Sequence, residues 1–153
     1  MLFRSEALSG DTLHTLCVEG MEGMSEEIWT KILQEMPNLH MMYVSQKSGE
    51  RLPAVLGTTC PDPRDPGGPQ RPILPSLKDL LFDEVDFGAC LPGTSGQNQE
   101  FGARLRRGLE ARKKAGSTVA ELILTRCENV RMSELKAMKD FVELVDWDRK
   151  GRV

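Results

Sequence analysis

His14 and Cys17 form an H-x-x-C pair, and with His40 and Cys60 they hold the donor set of a tetrahedral zinc site, provided the fold gathers all four. The spacing argues against it. Cys17, Cys60, Cys90 and Cys127 lie 43, 30 and 37 residues apart, without the close pairs of zinc ribbons or redox dithiols, so reduced, partly buried thiols are expected, with no metal and no cofactor. His14 and Cys17 are the metal candidates that remain. The chain lacks the phosphate loop G-x-x-x-x-G-K-S/T, the dinucleotide fingerprint G-x-G-x-x-G, the G-x-S-x-G elbow and H-E-x-x-H. Nucleophilic catalysis would have to recruit one of its two histidines, and each stands among apolar neighbours that suggest packing. The carboxylates Glu26 with Glu27, and Asp83 with Glu84 and Asp86, read as helix-end and loop charges. No catalytic residue is assigned and a non-enzyme is expected.

A second chemistry is recognition. Pro63, Pro66, Pro69, Pro72 and Pro75 recur every three residues, the repeat of a polyproline II helix, which would stack their rings along one edge of a spacer of roughly 45 Å. Within it Pro66, Pro69 and Arg71 fit P-x-x-P-x-R, which resembles the ligands of Src-homology type polyproline-binding domains. Two ridges would fill aromatic grooves while the guanidinium meets an acidic pocket. Leu77, Leu80 and Leu81 form L-x-x-L-L, similar to the box by which coregulators dock on nuclear receptors; a helix meeting its own core uses the same spacing.

The third candidate is a basic patch. Arg104, Arg106, Arg107, Arg112, Lys113 and Lys114 are opposed in their stretch only by Glu110 and could contact phosphates, acidic proteins or an import receptor. Against nucleic acid stand the net charge of −3, the pI near 5.5 and the lack of aromatics among these cations. Charge runs from −4 over residues 1–60, through −3 over 61–98, to +4 over 99–153. No stretch approaches the roughly twenty apolar residues of a membrane helix, and Arg4, Glu6 and Asp11 interrupt any leader-like run, so a cytoplasmic or nuclear location is expected.

The elements that must carry these groups read as mainly α, with a minor β-hairpin. Three parts are expected: an acidic helix and hairpin over 1–57, a proline/glycine-rich, partly disordered linker with one short helix over 58–98, and a basic three-helix unit over 99–153. Ser25 caps a helix over 24–36 with Trp29, Ile32 and Leu33 on one face. Its fragment EEIWTKILQEMPNL resembles the first helix of an F-box, although the further helices of that family do not follow. Residues 39–56 read as two strands about Ser48-Gly49, with Pro53 on an edge. A short helix is expected from Ser76 to Val85, and helices over 99–115, from the capping box Thr118/Glu121, and from Ser133. In the last, Leu135, Met138, Val142 and Val145 space as a packing seam open to a second copy.

These readings lead to a protein–protein interaction protein, a small adaptor or regulatory subunit, whose partners are other proteins. The alternative is nucleic-acid binding by the helix over 104–114.

Overall fold

Three rows of apolar side chains cross the molecule and set its architecture. The computed structural model describes residues 13–62, 65, 67–92 and 99–148. Strands β1 (Thr15–Val18), β2 (Met41–Ser45), β5 (Asp79–Asp83), β6 (Val119–Thr125) and β7 (Val142–Trp147) form one sheet in that order, each parallel to the next. In register, Leu39, Leu77, Val119 and Val142 make the first row. Leu16, Met42, Leu80, Leu122 and Val145 make the second, and Val18, Val44, Phe82, Leu124 and Trp147 the third. All face one core, fully buried in the three middle strands.

Between the strands run α1 (Glu26–Gln34), α2 (Leu52–Leu56, after a 3-10 turn over Gln46–Gly49), α3 (Phe101–Lys114) and α4 (Met132–Met138). Each helix packs on the next in chain order, so they form a single layer against the row side of the sheet. Sequential parallel strands require this, because successive crossovers of one hand all return on the same side. Ser25 caps α1 as expected, accepting from the Ile28 N–H at 3.3 Å, while Trp29 and Leu33 fill the core. Phe101, Leu105 and Leu109 do the same for α3. Phe82, Phe87 and Phe101 meet edge to face at the centre.

The fold is therefore α/β with a five-stranded parallel sheet, which corrects the expectation of a mainly α chain ending in a three-helix unit. Residues 79–83, expected within a short helix of a linker, are the central strand. Residues 119–125 are strand β6, so Thr118 and Glu121 cap nothing. The seam from Leu135 to Val145 is divided, Leu135 and Met138 lying on α4 and Val142 and Val145 on β7, so it offers no helical face to a second copy. The cause is shared spacing: an L-x-x-L interval suits a helix face as well as the approach to a strand. The β-branched Val119, Ile123, Thr125, Val142 and Val145 then favour the pleated surface.

Residues 39–56 are likewise no hairpin. β2 pairs with β1 and β5, and Pro53 stands in the first turn of α2, where its missing N–H costs nothing. The proline segment is not a straight rod, since β3 (Thr59–Cys60) pairs antiparallel with β4 (Arg71–Pro72) and brings its ends together. Two glycines allow α2 and α3 to touch: a Cβ on Gly108 would collide with the Pro53 carbonyl oxygen, and one on Gly57 would stand 3.3 Å from the Gly108 Cα.

Candidate functional site

Among the described residues, the helices cover one face of the sheet and leave the other open. On the open face β1 contributes Thr15 and Cys17, β2 contributes Met41, Tyr43 and Ser45, β5 contributes Asp79, Leu81 and Asp83, β6 contributes Glu121, Ile123 and Thr125, and β7 contributes Leu144 and Asp146. Strand alternation places them there, because their neighbours in sequence fill the core rows. The middle row reads Cys17, Tyr43, Leu81, Ile123, Asp146, apolar until its last member. Met41 at 37% and Leu144 at 53% are among the exposed large apolar side chains of the molecule.

At the carboxyl ends of the strands the polar groups are tied together. Asp83 is buried and accepts from Tyr43 Oη at 2.8 Å and from Arg126 Nε at 2.9 Å, with the Arg126 terminal nitrogen on its other oxygen. Arg126 also pairs with Glu84 at 3.0 Å. The Arg126 bonds, aided by Tyr43, hold the Asp83 carboxyl below its usual range despite burial. Burial and the neighbouring Asp83 push the Tyr43 phenol up to about 12. Immediately after three strands, Gln46, Glu84 and Arg126 all take a left-handed conformation, with φ of 53°, 56° and 52°. Beyond that turn Cys127 Sγ donates to the Phe82 carbonyl of the preceding strand at 3.4 Å, and burial drives its thiol up to about 11.

The other sequence candidates scatter. Leu77 and Leu80 lie in the core and only Leu81 reaches the open face, on a strand and not on a docking helix. Pro69 is exposed, Arg71 lies in β4 with its Nε buried and unbonded, and Pro66 is outside the described residues. The basic patch divides. Arg104 and Arg112 are buried anchors, Arg104 donating to the carbonyls of Glu50 and Gln99. Arg112, 1% exposed, donates to the carbonyls of Ile73 and Leu74 and to Ser117 Oγ; burial without a carboxylate lowers its pKa to about 10. Arg106, Arg107, Lys113 and Lys114 face outward, with Lys114 on Glu110 at 2.7 Å and Lys113 on the Asp140 carbonyl at 2.6 Å.

His14 and His40 do meet, Nδ1 to Nδ1 at 3.1 Å, one ring donating and the other accepting. Cys60 is buried in β3, and no three His, Cys, Asp or Glu side chains gather as a metal set among the described residues. A shallow depression of about 320 Å³ at the carboxyl ends of the strands is lined by Glu22, Gln46, Lys47, Glu50, Glu84 and Phe101, among others. Open parallel sheets place catalytic crevices where the strand order reverses. Here the order runs in sequence from β1 to β7, so the sheet contains no reversal. No helix among the described residues is long and apolar enough to cross a membrane.

Tyr43, Asp79, Glu121, Ile123 and Leu144 were not among the sequence candidates. The signal that finds them is the L-x-x-L-x-L phasing at Leu39, Leu77 and Val119, whose intervening positions face out. Comparison with protein-family models, with curated proteins and with solved structures finds no match.

Proposed function

We propose that this chain is a non-enzymatic protein-binding module, a short solenoid of the leucine-rich type, that receives its partner on the open face of the sheet. The observation that supports this most is the one-sided cover: five strands in chain order, the four described helices on one face, and the other face bearing Tyr43, Leu81, Ile123 and Leu144 toward solvent. Strands β1, β5 and β6 are each followed by one helix and β2 by a 3-10 turn and α2, which approaches the strand-and-helix unit of leucine-rich solenoids, whose repeated strands make an extended binding surface. Val119, Leu122, Leu124 and Cys127 follow the L-x-x-L-x-L-x-x-C pattern of that unit, with the cysteine bonded to the turn before it. The recognition role is thus the adaptor role expected from the sequence, moved from the proline segment to the sheet.

The test is retention of partners from a cell lysate on the immobilised chain, compared across variants whose circular dichroism is unchanged. Ile123→Arg with Leu144→Arg should remove the retained proteins, whereas Pro69→Ala with Arg71→Ala should leave them. Loss through the proline variant, or nuclease-sensitive loss through Arg106→Glu, Arg107→Glu and Lys113→Glu, would move the site to the loop or to α3.

A further inference from the structure

The outward carboxylates of the sheet are treated in two ways. Asp83 is compensated internally, by Arg126 and the Tyr43 hydroxyl. Asp79 and Glu121 stand in register on adjacent strands, and Asp146 is in register with Ile123 on the next. None of these three carboxyl groups has a hydrogen bond or ion pair among the described residues. Like charges directly opposed on neighbouring strands, about 4.8 Å apart, destabilise a sheet unless a counter-charge intervenes. Of the nearby cations, Arg126 is committed to Asp83 and Glu84, and Lys78 precedes β5, in the row of His14 and His40. The three carboxylates frame Leu81, Ile123 and Leu144, the apolar part of the β5–β7 half.

We infer that the open face takes a protein segment in which an apolar side chain is flanked by lysine or arginine, seated over β5, β6 and β7. The apolar group covers Leu81, Ile123 and Leu144, and the cations relieve the repulsion between Asp79 and Glu121 and pair with Asp146. This inference rests on the open face being the binding surface and adds the chemistry of the partner. A polyanion would meet three uncompensated carboxylates there, which turns nucleic acid away from this side of the molecule.

Labelled peptides with Leu or Phe between Lys and Arg residues test it, titrated by fluorescence anisotropy and by amide chemical shifts, alongside the same peptides with Glu for Lys and Arg. The cationic peptides should bind and shift the amides of β5–β7. Glu121→Lys with Asp146→Lys should weaken them at least tenfold and raise affinity for the acidic peptides. The same charge change at the two ends of α1, Glu27→Lys with Glu35→Lys, should alter binding less than threefold. Equal loss from the α1 variant, preference for the acidic peptides, or no amide shift at millimolar cationic peptide would overturn the inference. The two readings fail separately: partners lost through Ile123→Arg with Leu144→Arg but unaffected by Glu121→Lys with Asp146→Lys leave the face as the binding surface and discard only the cationic partner.

Discussion

Arg112 shows how a side chain that reads as surface charge can act as an internal fastener. Its guanidinium satisfies the carbonyls of Ile73 and Leu74 where the chain returns from the β3–β4 excursion, and Leu74 there holds a φ of 51°. Arg112→Met leaves those acceptors buried, and at about 1–3 kcal/mol for each of the two unpaired groups the variant should lose roughly 2–6 kcal/mol in chemical denaturation. Arg112→Lys, lacking the planar fork, should recover only part of it. Cys127 gives a prediction of opposite visibility. With its thiol raised to about 11, the native chain should react with Ellman's reagent at exposed Cys17 and Cys90 and not at Cys127. A thiol raised in the folded state keeps its full contribution below the unfolded value near 9 and loses it as pH climbs through 11. Native stability should therefore fall by about 3 kcal/mol over that window, a limb missing in Cys127→Ala. Asp83 acts at the other end: its pKa is lowered in the folded state, so its contribution is present above pH 4 and fades below it. Asp83→Asn should flatten the acid limb of thermal melting curves.

Among the elements, the α2–α3 crossing is the tightest. Gly108→Ala must push Pro53 away and separate the two helices, so a loss of about 1–3 kcal/mol is expected by equilibrium unfolding, against the gain that alanine normally brings to a helix interior. Helix α1 was legible in the sequence because the Ser25 cap and the apolar spacing agreed, and α3 from the spacing of Phe101, Leu105 and Leu109 alone. Strands β5, β6 and β7 were not, since Leu77 to Leu81, Val119 to Ile123 and Leu135 to Val145 each contain the three- and four-residue intervals of a helix face. Parallel strands buried by one helical layer also lack the flanking turn residues that mark hairpins. The candidate site was legible only in Leu81, read there as helical. Its other members sit between core positions and stand out only once successive turns are laid side by side.

At the scale of the whole molecule the repeat was hidden by its own irregularity. First-row positions Leu39, Leu77, Val119 and Val142 are separated by 38, 42 and 23 residues, because the two middle turns carry the β3–β4 excursion and the loop before α3. The proline-rich excursion lies outside the five-stranded sheet. Replacing residues 62–69 by a two-residue turn should leave the circular dichroism intact and move Tm by only a few degrees, since closing the shorter loop changes the free energy by only about 0.8 kcal/mol. One property of a sheet laid down in chain order reaches further. A barrel or a doubly wound sheet is complete at one size; this stack is not, because each turn buries its apolar rows against its neighbours and presents the same rows onward. Length is thus a free variable of the design. A tandem copy of residues 119–141 would lengthen the stack by one rung of about 4.8 Å and enlarge the exposed surface in proportion, without remaking its interior.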